Sequence, residues 1–263
     1  MTTILDRIVT VRRRRVAEAQ EKVPLEFLWD RCGRGRRGEA PRDRLAAWPA
    51  GRRAVIAEVK RRSPSKGDLR PDLDPAALGR AYAEAGAFAI SVLTEPDFFG
   101  GSLEDLRAVR EAVEIPVLRK DFVVDPYQVW EARAWGADLV LLIAAVLGPR
   151  LGEFVDLCRI VGVEPLVEVH DEGELDLALV SGARFLGINN RNLATFEVSL
   201  EVTRRLLPRI PDDRVVVSES GLRSAADLDE LEALGVRAFL IGEALVTAPD
   251  PGEALRRLVE RGA

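Results

Sequence analysis

The stretch AEVKRRSPSKG, residues 57–67, follows an apolar run that is typical of a buried strand. Glu58 and Lys60 stand two residues apart, so both side chains lie on the same face of that strand. Lysine is rare in this chain: only positions 22, 60, 66 and 120 among the 38 basic residues are lysines. An ammonium can give up a proton, whereas a guanidinium cannot easily do so. The pattern therefore indicates proton transfer or anion binding at the end of this strand.

Polar residues also follow other apolar segments at the position where each expected strand ends. Lys120 occurs in LRKDF, Glu168 in LVEVH, and both Asn189 and Arg191 in GINNRNL. The last two segments end in SESG and LIGEA, which contain Glu219, Ser220, Gly221, Gly242 and Glu243. These two segments lead into helices, whose first backbone N–H groups favour an anion, so we expect a phosphate site there.

The residue types around these strand ends predict a site with two different ends. Lysines and carboxylates that converge shift each other's proton affinity, which favours acid–base catalysis. A salt-bridge network that only satisfies itself is the alternative interpretation. Arg191 and Lys60 could also hold an anion, and an apolar wall is expected from Pro64, Phe99, Phe122, Leu141, Ile143 and Leu193. The set is suited to a phosphate at one end and a flat apolar group at the other.

The elements that position these residues repeat along the chain. Helical stretches end at Gly86, Gly136, Gly162, Gly182 and Gly235, and an apolar strand follows each of them. Asp-Pro pairs at 74–75, 125–126 and 250–251, and serines at 102 and 224, predict helix starts. The expected strands are 54–60, 87–93, 115–119, 138–143, 163–169, 184–188, 214–218 and 237–241.

Eight strands that alternate with helices predict an α/β fold of the (β/α)₈ TIM-barrel type. A doubly wound open sheet is the alternative, but no G-x-G-x-x-G follows the first strand. Residues 1–53 precede the barrel and contain helical stretches at 3–22, 24–32 and 41–48. They are too few and too charged to form a core alone, so we expect a helical extension packed on the barrel and a single domain over residues 1–263.

Composition excludes several classes of protein. No apolar run is long enough to span a membrane and no signal peptide is evident, so a cytoplasmic protein is expected. Arginine clusters at 12–15 and 34–37 favour a solvated face over nucleic-acid binding, because the net charge is −5. Cys32 and Cys158 have no metal-site spacing. His170, the only histidine, is expected in a loop or capping role, and no metal or other cofactor is predicted.

The strand-end motifs, in their order along the chain, resemble those of the indole-3-glycerol phosphate synthase family. The motifs are IAEVKRRSPSKG, SVLTEPDFFGGS, PVLRKDFVVDPYQV, GADLVLLI, PLVEVHDE, GINNRNL, VSESG and FLIGEALV. The resemblance implies that a sugar phosphate, 1-(o-carboxyphenylamino)-1-deoxyribulose 5-phosphate, is converted to indole-3-glycerol phosphate with loss of carbon dioxide and water. It also implies that the N-terminal extension helps to cover the substrate.

The resemblance implies a role for each matching residue. Lys120 would be the general acid of ring closure and Glu168 the acid–base partner in dehydration, with Glu58 and Lys60 paired near the reacting centre. Asn189 and Arg191 would orient the substrate and Glu168, while Glu219 and Ser220 complete the floor. Backbone N–H groups of Gly221, Gly242 and Glu243 would meet the phosphate, with Ser63 nearby. The family also uses serine at position 243, which a backbone role tolerates.

Two other functions stay open at this stage. A related sugar-phosphate isomerase such as phosphoribosylanthranilate isomerase relies on a Cys/Asp pair, but here Cys158 lies within a helical stretch and Cys32 precedes the barrel. A non-catalytic phosphate-ligand binder would not need three titratable groups aimed inward. The loop RRSPSKGD is rich enough in glycine and charge to be a mobile lid, with Lys66 as a substrate contact. The oligomeric state is left open between monomer and homodimer.

Overall fold

Eight parallel strands close into a barrel in the computed structural model, which describes residues 3–34, 38–193 and 195–261. Around the barrel the order is β1-β10-β9-β8-β7-β6-β5-β4. These strands are β1 Ala54–Val59, β4 Ala89–Leu93, β5 Val117–Lys120, β6 Leu139–Ile143, β7 Glu164–Val169, β8 Phe185–Asn189, β9 Val215–Glu219 and β10 Ala238–Ile241. All eight predicted strands are confirmed to within two residues at each end. Since the sheet closes on itself, the open-sheet alternative was wrong.

The loop after β1 contains a small hairpin that the sequence analysis did not predict. β2, Arg62–Ser63, pairs antiparallel with β3, Gly67–Asp68. The turn between them is Pro64-Ser65-Lys66, and Gly67 has a φ of 70°, which suits glycine. The loop thus has ordered hydrogen bonding of its own, while its role as a mobile lid stays a prediction.

Helices follow the barrel strands on the outside. Their bounds are α1 Ile4–Lys22, α2 Leu25–Arg34, α3 Pro41–Ala46, α4 Pro75–Glu84, α5 Pro96–Phe99, α6 Leu103–Ala112, α7 Tyr127–Ala134, α8 Ala144–Leu147, α9 Leu151–Val161, α10 Glu172–Val180, α11 Glu201–Leu206, α12 Ala225–Leu234, α13 Glu243–Val246 and α14 Pro251–Val259. Single 3₁₀ turns occupy Gly148–Arg150 and Leu207–Arg209.

The predicted helix boundaries have the expected local chemistry. Asp74, Ser102, Ser224 and Asp250 are N-caps whose side chains accept backbone N–H bonds. The start predicted at 125–126 is one residue early: α7 begins at Tyr127, whose N–H donates to Oδ1 of the aspartate at 125 (2.9 Å). The five glycines predicted to end helices all have φ between 73° and 116°, the left-handed region that other residues resist.

The core has two layers because successive strand residues face opposite sides of the sheet. Side chains such as Val55 pack between strands and helices, whereas side chains such as Ile56 fill the barrel interior. Further along four of the strands, towards their carboxyl ends, the inward-facing positions become ionisable: Glu58, Lys120, Glu168 and Glu219. The apolar interior therefore supports a layer of charge near the mouth of the barrel.

The N-terminal helices contact both ends of the barrel. In α1, Ile8 joins the interior cluster near the barrel mouth, and its neighbour one turn later, Arg12, binds Asp121 just after β5 (2.8 and 2.6 Å). Trp48, after α3, packs edge-on against Phe88 near the start of β4. The expected helices of the extension are thus confirmed, and they cover the two ends of the barrel.

The arginine cluster at 12–15 only partly fits the predicted solvated face. Arg13 and Arg14 are exposed, but Arg12 is buried and bidentate to Asp121, and Arg15 binds Asp97 (3.1 and 2.8 Å). The prediction was therefore wrong for Arg12, because helical periodicity turns this residue towards the barrel. Residues 35–37 of the second cluster, and the side chain at 34, lie outside the described residues. Among the described helices, none has the length and apolarity needed to cross a bilayer.

Candidate active site

A cavity of about 440 Å³ opens at the carboxyl ends of the barrel strands. Lys66, which the sequence analysis named as a substrate contact, does not line it, but the other residues proposed for the site do: Glu58, Lys60, Ser63, Pro64, Phe99, Lys120, Phe122, Leu141, Ile143, Glu168, Asn189, Arg191, Leu193, Glu219, Ser220, Gly221, Gly242 and Glu243. Each of the eight barrel strands, or the loop that follows it, contributes to this set, and Leu93 at the end of β4 lines the cavity as well. Barrel closure therefore brings the predicted set together.

Lys120 stands between two carboxylates at the floor of this cavity. Its Nζ donates to Oε2 of Glu219 at 2.8 Å and to Oε2 of Glu168 at 3.1 Å. All three side chains are largely buried. Nζ of Lys60 donates to Oε1 of Glu58, so the pair at the end of β1 does share one face of the strand. These five side chains thus place two ammonium groups and three carboxylates at the mouth of the barrel.

These neighbours drive the proton affinities apart. Burial opposes the charge on Lys120, but the carboxylates of Glu219, Glu168 and Glu58 outweigh it and raise the pKa of the amine well above its usual range. Burial also opposes ionisation of Glu168, yet Lys120, His170 and an Asn189 hydrogen bond hold its pKa far below the usual range. For Glu219, burial and the repulsion of Glu168 and Glu58 prevail over Lys120 and raise the pKa to about 7. Similar side chains therefore carry different proton affinities.

Two glycines leave room for the carboxylates. A Cβ at Gly187, in β8, would overlap Oε1 of Glu219, and a Cβ at Gly242 would overlap the carboxylate of Glu58. The sequence analysis assigned Gly242 to phosphate binding and passed over Gly187, which stands two residues before Asn189 in GINN. Only the pairing of neighbouring strands in the closed barrel shows that either position has to lack a side chain.

Cationic and small residues form one end of the cavity. Arg191 has Nη2 3.8 Å from Oε2 of Glu243, and Lys66 has Nζ 3.7 Å from Oε1 of the same carboxylate. Ser220 and Gly221 follow β9 with φ of 65° and 81°. The left-handed conformation costs a serine roughly 1–3 kcal/mol, so surrounding contacts have to hold it.

Asn190 supplies those contacts, and the sequence analysis did not single it out. Its Nδ2 donates to the carbonyl oxygens of Glu219 (3.0 Å) and Ser220 (3.1 Å) and to Oγ of Ser218 (3.0 Å). Its Oδ1 accepts from the hydroxyl of Thr203 at 2.8 Å. The second asparagine of NNRN could have been noticed in the sequence as a polar residue at a strand end. Its hydrogen-bond partners on the neighbouring strand could not have been.

The other end of the cavity is apolar. The rings of Phe99 and Phe122 lie with centroids 5.9 Å apart. Ile4, Leu5 and Ile8 of α1 also border the cavity. Sequence reasoning assigned α1 only a general covering role, although the apolar spacing of 4, 5 and 8 marks one helix face. An aromatic group would fit between these side chains, opposite the cationic end.

His170 follows β7 as expected, but its contacts go beyond a loop or cap. Its backbone N–H donates to Oε2 of Glu174 (2.9 Å), in the first turn of α10. Its ring nitrogens lie 2.9 Å from Oε2 of Glu174 and 3.3 Å from Oε1 of Glu168. The histidine is therefore in direct contact with a carboxylate of the site.

Neither Cys32 nor Cys158 lines this cavity. Cys158 is buried in α9 between helix and strands, and burial raises the pKa of its thiol. Cys32 lies in α2. Over 3–34, 38–193 and 195–261, no three or more His, Cys, Asp or Glu side chains are grouped as metal ligands. The isomerase alternative needs a Cys/Asp pair at the barrel mouth, and neither Cys32 nor Cys158 lies there.

The barrel and the cavity together define a class of protein: a (β/α)₈-barrel enzyme with an acid–base floor, an apolar wall and a cationic end. A model of the family "Indole-3-glycerol phosphate synthase" matches residues 5–258. This chain belongs to that family.

Curated relatives agree over nearly the full length. The chain is 49% identical over 260 residues to an indole-3-glycerol phosphate synthase of Burkholderia multivorans, covering 98% of this chain and 99% of the relative. A synthase of the same name from Burkholderia lata is 48% identical over 260 residues, with the same coverage.

Solved structures with little sequence similarity share the fold. KGPDC from Streptococcus mutans superposes with a TM-score of 0.61 at 14% identity, covering 79% of this chain and 95% of that chain. 3-Hexulose-6-phosphate synthase from Salmonella typhimurium gives 0.62 at 15% identity, covering 78% and 96%. At these identities the likeness concerns the barrel alone.

Proposed function

We propose that this protein catalyses its family's reaction, the conversion of 1-(o-carboxyphenylamino)-1-deoxyribulose 5-phosphate to indole-3-glycerol phosphate in tryptophan biosynthesis. The observation that carries the proposal is the position of Lys120, within hydrogen-bonding distance of both Glu168 and Glu219 at the floor of one cavity. An apolar wall and a cationic end flank this floor. The substrate has matching parts: an aromatic ring, a reacting carbonyl and a phosphate.

The substrate is expected to lie across the cavity. Its aromatic ring would pack among Phe99, Phe122, Pro64, Leu141, Ile143 and Leu193, together with the apolar face of α1. Its phosphate would meet the backbone N–H groups after β9 and β10, at Ser220, Gly221, Gly242 and Glu243, with Ser63 nearby. This placement brings the flexible chain between the two ends over the ionisable floor, and holding reactants so is itself a large part of catalysis.

Lys120 is the proposed general acid of ring closure. The ring carbon that carries the carboxylate attacks the ketone carbon, and the ammonium protonates the carbonyl oxygen as the new carbon–carbon bond forms. The carboxylate then leaves as carbon dioxide, and the bonding electrons restore the aromatic ring. The surrounding carboxylates keep Lys120 protonated at neutral pH, so the proton is present where the carbonyl oxygen is expected to lie.

Dehydration needs an acid and a base on the same intermediate. The new hydroxyl takes a proton and leaves as water, while a proton is lost from the ring-forming carbon chain to complete the indole. Glu168 is the proposed acid–base partner in this half, and it is ionised in the unliganded site. Over the whole reaction one proton is taken up from solvent, because a carboxylate is released as neutral carbon dioxide.

The other polar residues are proposed to orient these groups. Glu58 and Lys60 form a pair close to the reacting centre, and Lys60 also faces the anionic groups of the substrate. Asn189 is proposed to hold Glu168, and Arg191 to hold the substrate. Glu219 completes the floor beside Lys120.

Five broader properties accompany this proposal. The N-terminal helices and the barrel are proposed to form one domain over residues 1–263, since α1 borders the cavity and binds Asp121. A nucleic-acid partner is not expected, because Arg12 and Arg15 are occupied by carboxylates. The protein is proposed to act in the cytoplasm, as a monomer or homodimer. No metal or other cofactor is proposed for the reaction.

Indole formation from the ribulose phosphate substrate tests the function. Purified protein is expected to produce the fluorescence of an indole product, with carbon dioxide released in equal amount. Tight binding of the substrate without product over a long incubation would instead identify a phosphate-ligand binder. Isomerisation of phosphoribosylanthranilate without indole formation would favour the sugar-phosphate isomerase.

A further inference from the structure

The ring of His170 lies between two carboxylates. Its Nδ1 is 2.9 Å from Oε2 of Glu174, and its buried Nε2 is 3.3 Å from Oε1 of Glu168, an ion-pair distance without hydrogen-bond geometry. A neutral imidazole carries one N–H and one lone pair, so one carboxylate would face a lone pair. An imidazolium carries two N–H groups and suits both contacts. The geometry of the ring thus favours the charged form.

The other charged groups nearby are engaged elsewhere. A neighbouring cavity borders His170 and is lined by five further charged residues: Asp171, Glu174, Arg191, Glu197 and Arg205. Of the two arginines, Arg191 faces Glu243 and Arg205 binds Glu172 at 2.8 Å. Asp171 caps α10 through the N–H of residue 174. The carboxylates of Glu168 and Glu174 are therefore the charges that act directly on the ring.

Glu168 in turn has a basic side chain at each oxygen. Its Oε2 accepts from Lys120 at 3.1 Å, and its Oε1 faces the ring of His170. Glu219 shares Lys120, but its Oε1 is buried and has no hydrogen-bond partner among the described residues. The two carboxylates beside Lys120 are thus distinguished by the histidine on one side.

We propose that His170 is a positioning residue that, as an imidazolium held between Glu174 and Glu168, orients the carboxylate of Glu168 and keeps the negative charge of the pair on Glu168 instead of Glu219. The proposal rests on the proposed function only for the role of Glu168 in dehydration. Burial opposes the charge on the ring, but the two carboxylates, Glu168 at ion-pair distance and Glu174 through its hydrogen bond, outweigh it and raise the pKa of His170 to about 10. The ring keeps both protons through turnover and transfers none to the substrate.

The charge of the ring can be observed directly, because His170 is the only histidine. Untagged protein with ¹⁵N in its histidine ring gives a single pair of ring nitrogen signals. Both are expected at imidazolium positions from pH 5.5 to about 9. A transition near pH 6.5, the ordinary value for histidine, would overturn the proposal.

Variants of the two carboxylates test what holds the charge. Glu174→Gln and Glu168→Gln should each lower the midpoint of the His170 transition by about 1–3 pH units, the usual effect of one close opposite charge. Asp176→Asn is the matched control, since this exposed residue of α10 pairs with Arg209 instead. A midpoint that Glu168→Gln leaves unchanged would show that the two residues are not coupled, and would contradict the proposal.

Turnover then tests the positioning role. His170→Gln keeps a neutral donor for Glu168, whereas His170→Ala removes it. Both are expected to lower kcat, alanine more than glutamine, with KM changed less than about twofold. Loss of the histidine should raise the pKa of Glu168, which His170 helps to lower. Each unit of that increase lowers the ionised fraction of Glu168 by up to about tenfold at low pH, so the loss of kcat should grow from pH 8 to pH 5.5. Asp176→Asn should match the wild-type profile.

The outcomes separate this proposal from the proposed function. Unchanged kcat across the pH range, or a loss of the same size at every pH in both variants, would reduce His170 to a structural residue and overturn the proposal. Wild-type protein that forms no indole would refute the proposed function instead, and the ring signals would still decide the charge of His170.

Discussion

Replacing Lys120 by arginine separates the charge of this side chain from its ability to give up a proton. Lys120→Arg keeps a cation between Glu168 and Glu219, but a guanidinium stays protonated at neutral pH. Loss of the general acid is expected to lower kcat by about 10²–10⁴-fold. Because the positive charge stays, phosphate binding and the free energy of unfolding should change far less.

The contacts of Lys120 explain why a neutral variant is the weaker test. At 2.8 and 3.1 Å, each ion pair contributes about 5–6 kcal/mol at an effective dielectric constant of about 20, before desolvation is subtracted. Lys120→Met leaves buried carboxylates without their cation, which costs about 3–5 kcal/mol in general. Glu219 would reduce this cost by taking up a proton, since its pKa is already about 7. Methionine should therefore lower stability as well as kcat.

The assay follows indole fluorescence with saturating ribulose phosphate substrate. Urea unfolding and inorganic phosphate inhibition, measured on the same preparations, report stability and the cationic end of the cavity. Inorganic phosphate should inhibit Lys120→Arg with the same inhibition constant as wild type. Near-normal kcat in Lys120→Arg would remove this residue from the general-acid role and refute the reasoning.

Three further predictions concern other parts of the site. Glu243→Ser removes a carboxylate that competes with the substrate phosphate for two nearby cations, so KM should fall severalfold at constant kcat; a higher KM would contradict this. The pKa of Glu219 is raised from 4.5 to about 7, so the folded state holds this proton more tightly and wild-type stability falls as the pH rises through that window. In urea unfolding, the stability of Glu219→Gln relative to wild type should therefore increase by up to about 3 kcal/mol between pH 4.5 and 8, and parallel curves would exclude this. Arg12→Met breaks a buried bidentate pair with Asp121 and should lower the free energy of unfolding by about 3 kcal/mol and raise KM, whereas unchanged values would show that α1 is held otherwise.

Most of the barrel could be predicted because its signals are local. A glycine that stops a helix and an apolar run of five or six residues identify a strand without knowledge of its neighbours. In a barrel of parallel strands, all carboxyl ends open at one mouth. The polar residues that follow the apolar runs, such as Lys120 and Glu168, could therefore be assigned to one cavity from the sequence.

What could not be predicted depends on contacts between distant segments. Arg12 and Asp121 are 109 positions apart, and nothing in RRRR distinguishes the first arginine from its neighbours except its helical phase. Gly187 matters because the carboxylate of Glu219, on the next strand, occupies the space that a side chain at position 187 would need. The hairpin after β1 was overlooked because its two strands have only two residues each.

The sequence alone determined the order of strands and helices, the mouth of the barrel and the residue types that face it, since these follow from side-chain alternation and local capping. Only the tertiary structure decided which charges are partners. Lys120 lies between Glu168 and Glu219, and His170 lies beside Glu168 and not Glu219. Electrostatic interaction depends on distance and burial, and closure of the barrel sets both. For that reason the unequal proton affinities of two glutamates in similar motifs could not be obtained from their spacing.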